Sequence, residues 1–247
     1  MIVQKQRLDQ ILFNRNLAES KSKAQAMIMA GQVFVEGKPI YKSGFNINNN
    51  VIIEIKNLGP KWVSRGATKL ITALEKNKIV VKNKVCIDLG SSTGGFTDVL
   101  IQSGADRVYA VDVGTNQLHE KLKKNKKIIS LEKTNARYLK KDQFEELIDI
   151  MVCDVSFISL KKVIEPNLNL LKKESIIIAL IKPQFESKKN ETKKGVVKDI
   201  IIHQRICDEI SEWFETLYES RVLSIIESPI KGPKGNIEFL ITVKFQK

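Results

Sequence analysis

Val85-Cys-Ile-Asp-Leu-Gly-Ser-Ser-Thr-Gly-Gly-Phe-Thr-Asp98 reads as a buried strand that breaks into a glycine-rich turn and runs straight into a helix. Val85, Ile87 and Leu89 favour a strand, and Gly90, Gly94 and Gly95 let the chain turn sharply and bring its backbone against a ligand. Thr97 and Asp98 suit the first helical turn. After the first strand of an α/β sheet, such a turn sets backbone N–H groups and a helix N-terminus at the carboxyl edge, where these sheets bind ligands.

Outward from this stretch the chain keeps alternating. Residues 107–111, 127–131, 149–154 and 175–181 are strand candidates with helical patterns between them, which argues for a parallel sheet covered on both faces. A long helix over 200–218 precedes two last strands, 221–228 and 237–245, joined by a Gly/Pro loop too short for a helical crossover. Those two are therefore expected to pair antiparallel.

Upstream, residues 1–56 form a small α+β unit, 57–63 a linker and 64–247 the larger α/β domain. In the small unit Leu8, Ile11 and Leu12 share a helical face, and Ser20 is placed to cap a helix over 21–30 that Gly31 stops. The period then changes to two at Val33 and Val35 and again at Val51, Ile53 and Ile55, with a polar loop over 46–50. Gly59-Pro60 interrupts both periodicities, and the segment after it leads into a helix carrying Leu70, Ala73 and Leu74 on one face, with Lys69 beside them.

The net charge of +13 over 247 residues points to a polyanionic partner, nucleic acid or an acidic membrane surface. Cys86, Cys153 and Cys207 lie far apart without a Cys-x-x-Cys or Cys/His grouping, so reduced, buried thiols and a cytoplasmic address are expected, and no metal. The apolar run over 176–181 falls far short of the roughly 20 residues a spanning helix needs. The start of the chain has no apolar signal core.

Gly90-x-x-x-Gly94-Gly95 matches neither the dinucleotide Gly-x-Gly-x-x-Gly nor a phosphate-binding loop. Asp88, two residues before the first glycine, would repel a pyrophosphate but suits an ammonium, which favours S-adenosylmethionine. Asp112 ends the next strand, the place for an acid that accepts ribose hydroxyls, and Val113, Asn135 and Ala136 would flank the rest of the nucleoside. The expected cofactor set is completed by Gly90, Ser91, Ser92, Thr93, Gly94, Gly95, Phe96 and Thr97. Lys69, Asp154, Lys182 and Glu238 fall at the same edge; Lys182 follows six apolar residues and precedes Pro183.

Two resemblances rest on these residues. Arg7-Leu-Asp, Ser20-Lys-Ser-Lys-Ala-Gln and Ala30-Gly-Gln-Val-Phe-Val-Glu-Gly37 resemble the S4 RNA-binding domain, which implies that Arg7, Arg15, Lys21, Lys23 and Gln25 face structured RNA. Lys69, Asp154, Lys182 and Glu238 resemble the Lys-Asp-Lys-Glu tetrad of FtsJ-type ribose 2′-O-methyltransferases. The whole chain resembles the TlyA family of rRNA methyltransferases, also known as haemolysins. Val63-Ser-Arg-Gly-Ala-Thr-Lys-Leu70, Asp154-Val-Ser-Phe-Ile-Ser159, Lys182-Pro-Gln-Phe-Glu186 and Ser228-Pro-Ile-Lys-Gly-Pro-Lys-Gly-Asn-Ile-Glu238 carry the likeness together with the glycine turn.

The resemblance implies a Rossmann-like S-adenosylmethionine-dependent methyltransferase sheet. It also implies a cytidine 2′-hydroxyl of 23S rRNA as acceptor, in some members with a second in 16S rRNA, and a ribosomal subunit as partner. Lys182 is the expected general base. A lysine serves so only as the neutral amine, which burial and a neighbouring Lys69 favour and Asp154 and Glu238 oppose. Phe157 is set to stack on a flipped base or to fill the rim of the fourth strand, and Arg65, Lys193 and Lys194 to meet the RNA backbone. A non-catalytic ribosome-assembly protein and a membrane-lytic haemolysin are the rival readings. The second needs a spanning segment, a barrel pattern or a strongly amphipathic interfacial helix, and the sequence shows none of them.

Overall fold

The computed structural model describes residues 5–29, 31–55 and 62–247, and the chain divides into two compact units between Lys61 and Trp62. Most of the expected linker, residues 57–61, and the last residue of the helix expected over 21–30 lie outside the described residues.

The first unit runs β1 (Lys5–Arg7), α1 (Leu8–Asn14), α2 (Lys21–Met29), β2 (Val33–Val35), β3 (Lys38–Pro39), β4 (Asn46–Asn48) and β5 (Ile53–Ile55). Apolar residues at helical spacing, Leu8, Ile11 and Leu12 on α1 and Ala24, Met27 and Ile28 on α2, bury against Val33 and Val35 in one core. Ser20 caps α2, its Oγ accepting from the Lys23 N–H at 3.1 Å. The segment expected as a loop over 46–50 is in part a strand, β4, paired antiparallel with β1. Its one apolar residue, Ile47, is the buried one, and its partner lies at the other end of the unit, so local periodicity carries no sign of the pairing.

In the second unit follow α3 (Ala67–Asn77), β6 (Val85–Leu89), α4 (Gly95–Gln102), β7 (Arg107–Val111), α5 (Glu120–Lys123), β8 (Ile128–Leu131), β9 (Ile148–Cys153), α6 (Lys161–Ile164), β10 (Leu171–Ile181), α7 (Pro183–Glu186), α8 (Ile200–Glu215), β11 (Arg221–Glu227) and β12 (Phe239–Gln246). Seven strands form one sheet in the order β11-β12-β10-β9-β6-β7-β8. β10, β9, β6, β7 and β8 are parallel, while β12 runs antiparallel to both β10 and β11. The expected antiparallel pairing of the last two strands is therefore present.

Strand periodicity divides the interior between two faces. Ile87, Leu89, Met151, Cys153, Ile177, Ala179 and Ile181 meet Ile206, Cys207, Ile210 and Phe214 of α8 on one side. Cys86, Ile150, Val152, Ile178 and Leu180 meet Leu70, Ala73 and Leu74 of α3 and Val99 and Leu100 of α4 on the other. Trp62 joins this second core, and the Val63 N–H donates to Asp98 Oδ2 at 2.9 Å, so both residues are part of the larger unit.

The sequence promised more helix between strands than there is. From β8 to β9 the chain makes only 3₁₀ turns at Ala136–Tyr138 and Lys141–Gln143, and from β9 to β10 the single turn of α6 and a 3₁₀ segment, Glu165–Leu170. Ala136, Leu139, Leu168 and Leu170 still cover the sheet, so irregular backbone carries apolar residues that would otherwise have read as helix.

Candidate functional site

The order of strands reverses between β6 and β9, and the crevice outside their carboxyl ends is where a ligand belongs in such a sheet. Gly90 stands at that reversal with φ +82°. A Cβ on it would lie 2.8 Å from the Asp154 carbonyl oxygen and 3.1 Å from Val155 Cγ1. Only glycine permits both the left-handed conformation and this approach of the turn to the end of β9.

The turn differs from the expected cradle in one respect. The Gly90 and Ser91 N–H groups donate to the Val111 carbonyl at 2.9 and 3.0 Å, Gly94 N–H to the Ser91 carbonyl at 2.8 Å, and Ser92 N–H to Asp112 Oδ2 at 2.8 Å. With those four donors engaged internally, these N–H groups do not form an anion nest. This agrees with the exclusion of a pyrophosphate.

Asp88 is buried beneath the turn. Its Oδ2 accepts from the Thr97 N–H at 2.9 Å and from Thr97 Oγ1 at 2.6 Å, which pins the start of α4, while Oδ1 is buried with no hydrogen-bond partner. Burial, opposed by the Thr97 bonds and aided by Asp154 and Asp112, pushes this carboxyl up to about 7. An unpartnered buried carboxylate oxygen fits a site for a cation. Asp88 is not, however, on the wall of either cavity described below, so its influence on a ligand there is electrostatic, exerted through the turn.

Two cavities share Gly90, Ser92, Asp154 and Ser156 as a common wall. The second, about 490 Å³, is lined by Asp112, Val113, Asn135, Ala136, Val155 and Phe157 among others. Asp112 takes one N–H on each oxygen, from Ser92 and, at 2.7 Å, from Gly114, which fixes the carboxylate and leaves lone pairs for hydroxyl donors. Asn135 caps the following 3₁₀ turn by accepting from the Arg137 N–H. Val113 is exposed at the rim.

The first cavity, about 370 Å³, holds Lys69, Asp154 and Lys182 on its wall, along with Ser91, Ser92, Thr93, Gly95 and Phe96 of the turn. Lys182 Nζ lies 2.6 Å from Asp154 Oδ1, and Lys69 Nζ lies 3.5 Å from Asp154 Oδ2 and 2.9 Å from Glu238 Oε2. Four elements far apart in sequence, α3 and the segments at the ends of β9, β10 and before β12, thus deliver two cations and two anions to one continuous chain of ion pairs. Lys69 and Lys182 are each 7% exposed and Glu238 1%. Buried charge of this kind is tolerated only because it is paired and hydrogen-bonded.

Sequence reading missed the residues that hold the four in place. Ser156 Oγ accepts from Lys182 Nζ at 2.9 Å, and Gln184 Nε2 donates to Glu238 Oε1 at 3.1 Å. Gly232 leaves room for the Glu238 carboxylate, since a Cβ there would meet Oε1 at 2.1 Å and displace it. All three lie in the quoted motifs; the signal was present, but their roles depend on contacts across the sheet.

The expected RNA-facing residues fall into two groups. Arg7 bonds Asp9 through two nitrogens, at 3.0 and 2.6 Å, Gln25 donates to the same carboxylate, and Arg15 holds the carbonyls of Val51 and Asn49. The Arg7 guanidinium holds the Asp9 carboxyl down at about 2 against the opposing effect of burial. These side chains already have internal partners. Lys21, Lys23, Arg65, Lys193 and Lys194 are exposed. Phe157 is 91% exposed, adopts φ +64°, and leans on Phe185 with ring centroids 5.0 Å apart.

The three cysteines are free and buried; burial pushes the Cys86 and Cys153 thiols up, and Cys207 to about 12. Among the described residues no cluster of three or more His, Cys, Asp or Glu is placed to hold a metal ion, and no helix is long and apolar enough to cross a membrane.

Comparison with known proteins adds to this geometry. The FtsJ-like methyltransferase family matches residues 62–245 and the S4 domain residues 6–53. Hemolysin A of Brachyspira hyodysenteriae is 41% identical, the match covering 95% of this chain and 98% of the relative. The 16S/23S rRNA (cytidine-2′-O)-methyltransferase TlyA of Mycobacterium tuberculosis is 36% identical over 97% of this chain and 90% of its own. A solved structure named as a hemolysin, from Streptococcus thermophilus, superposes with a TM-score of 0.73 at 36% identity, covering 99% of this chain and 90% of that one.

Proposed function

The chain belongs to the FtsJ-like methyltransferase family, with an S4 domain ahead of the catalytic unit, and on that premise we propose that it methylates the 2′-hydroxyl of a cytidine in ribosomal RNA. The observation that carries the reading is the chain of ion pairs Lys182–Asp154–Lys69–Glu238, of which Lys182, Asp154 and Lys69 stand on the wall of a cavity that adjoins the one lined by Asp112 and Asn135 across Gly90.

S-adenosylmethionine, when bound, supplies a methyl group on a positively charged sulfur, whose C–S electron pair stays with sulfur as the methyl passes to the ribose oxygen. The chain's own tasks are to place the hydroxyl in line and to manage one proton. Asp112 would hold the ribose hydroxyls, and Val113, Asn135 and Ala136 the base. The buried Asp88 carboxylate behind the turn would favour the cationic end. Gly90 to Thr97 shape the wall against which it lies.

Lys182 would take the hydroxyl proton. Asp154 holds it in place by an ion pair, and Lys69 is held in turn by Asp154 and Glu238. Lys21 and Lys23 on α2, with Arg7, Arg15 and Gln25 beside them, would meet structured RNA through its phosphates and shape. Arg65, Lys193 and Lys194 would meet the backbone near the target nucleotide, and Phe157 its base. The substrate lies on a ribosomal subunit, which gives the enzyme a cytoplasmic site of action.

The test is methyl transfer from labelled S-adenosylmethionine to intact ribosomes, separated subunits and naked rRNA, with the modified nucleotide mapped. The expected product is a 2′-O-methylcytidine, lost in Lys182→Ala while cofactor binding stays near that of the parent. Transfer to a base nitrogen or carbon, or equal loss of binding and transfer, would refute the assignment.

A further inference from the structure

Lys69 and Lys182 have different surroundings. Lys69 lies between two carboxylates, Glu238 at 2.9 Å and Asp154 at 3.5 Å. Lys182 has one carboxylate, Asp154 at 2.6 Å, and one neutral partner, Ser156 Oγ at 2.9 Å. Both contacts of Lys69 are thus to carboxylates, whereas Lys182 divides its contacts between one carboxylate and one neutral hydroxyl. A neutral amine carries two N–H bonds and one lone pair. At Lys182 the two N–H bonds have two acceptors waiting, so the lone pair is left to the cavity.

We propose that Ser156 is a positioning residue for the transfer, aiming the Lys182 lone pair at the ribose hydroxyl by accepting one N–H and then carrying the proton out to solvent. The inference rests on the methyltransferase reading above. In the step itself the ribose O–H bond breaks as an N–H bond forms on Lys182, and the oxygen keeps the electron pair it shares with the incoming methyl. Lys182, now an ammonium, returns a proton to Ser156 Oγ as the serine's own proton passes to water.

Exposure supports this route. Lys182 is 7% exposed, whereas Ser156 is exposed and lines both cavities, so the hydroxyl connects a buried amine to water. The charged groups that face Lys182 are Asp154 from the end of β9 and, beyond it, Lys69 from α3 and Glu238 before β12. Arg65 and Lys231 stand on the same cavity wall, and the Phe185 ring of α7 lies 6.0 Å from Nζ. Among these neighbours Ser156 is the neutral hydrogen-bond acceptor.

The experiment compares Ser156→Ala, Ser156→Thr and Ser156→Asp in the full chain. It reads kcat, the KM for the RNA, cofactor affinity by titration calorimetry, and the pH profile of kcat. A second readout needs no cofactor: the rate at which acetic anhydride acylates Lys182 against pH, followed by mass spectrometry. Ser156→Ala should lower kcat by about 10- to 100-fold with cofactor affinity and KM unchanged, and move the acidic limb of the profile and of the acylation curve to lower pH.

Ser156→Asp should move both limbs the opposite way, because a second anion then holds the ammonium, and Ser156→Thr should restore most of kcat. A purely structural serine would change stability and leave the limbs in place. Parent-like kcat and acylation in Ser156→Ala, beside an active parent, would overturn the inference alone. A parent that binds no S-adenosylmethionine would overturn the reading beneath it, and the inference with it.

Discussion

Replacing Gly90 with alanine adds one methyl group at the reversal of the sheet, and the structure sets its consequence. The residue would be held at φ +82°, a left-handed conformation that costs an L-residue roughly 1–2 kcal/mol. Its Cβ would press on the Asp154 carbonyl oxygen at 2.8 Å and the Asp154 carbonyl carbon at 3.2 Å, backbone atoms that cannot rotate away. Overpacking of this kind adds about 1–3 kcal/mol, so the total is about 2–5 kcal/mol. Gly235 separates the two contributions, since it has the same φ of +82° and nothing within 4 Å of an added Cβ. Gly235→Ala should therefore show the conformational part alone.

Both tryptophans, Trp62 and Trp213, lie in the larger unit, so their fluorescence in urea reports that unit without the S4 domain. With a slope of about 2 kcal/mol per molar urea, Gly90→Ala should lower the midpoint by about 1–2.5 M and Gly235→Ala by less. Relief of the clash must also shift Asp154, which both lysines contact, and a misplacement of about 1 Å costs about 100-fold in rate. A Gly90→Ala protein no less stable than Gly235→Ala would show that the close approach of turn and strand is not a constraint. So would methyl transfer at the parent rate.

Glu238→Ala leaves Lys69 buried with Asp154, at 3.5 Å, as its ion-pair partner, and thermal unfolding should show a loss of about 3–5 kcal/mol. Asp88 offers a pH test. Its folded value, about 7, is raised above the unfolded one, so its contribution to stability is fully present below about pH 4 and is lost as pH rises through about 7. Across that window the change is on the order of 4 kcal/mol. Asp88→Asn should flatten the corresponding part of a Tm-against-pH curve, and an unchanged slope would argue against an isolated buried acid. Lys21→Ala with Lys23→Ala should weaken rRNA binding and reduce the slope of log Kd against log salt by about 1–2. A loss of affinity with the slope intact would place those lysines outside the phosphate contacts.

Much of this protein is determined by local sequence. The strand–turn–helix at Val85 to Asp98, the continuous apolar runs of β9 and β10 and the apolar faces of α1, α3 and α8 each follow from side-chain spacing, because burial on one face or two leaves its mark residue by residue. The identities of Lys69, Asp154, Lys182 and Glu238 were legible too, since charge at the rim of apolar strands is costly without a purpose. Other features belong to tertiary structure. That β4 pairs with β1, that the turn's donors are engaged by Val111 and Asp112, and that Asp88 sits behind the cavity wall depend on segments distant in the chain.

The same holds for the order within the tetrad. Sequence gives four charges at one edge, but which lysine has two anions and which has one anion and a hydroxyl is set by distances of 2.6 to 3.5 Å across four elements. Those distances exist only when the sheet is assembled, because hydrogen bonds and close ion pairs form only between groups brought within a few ångströms and carry no trace in local periodicity. The residue types set four charges at one edge; the packing of β9, β10 and β12 against α3 decided which partners each of them meets.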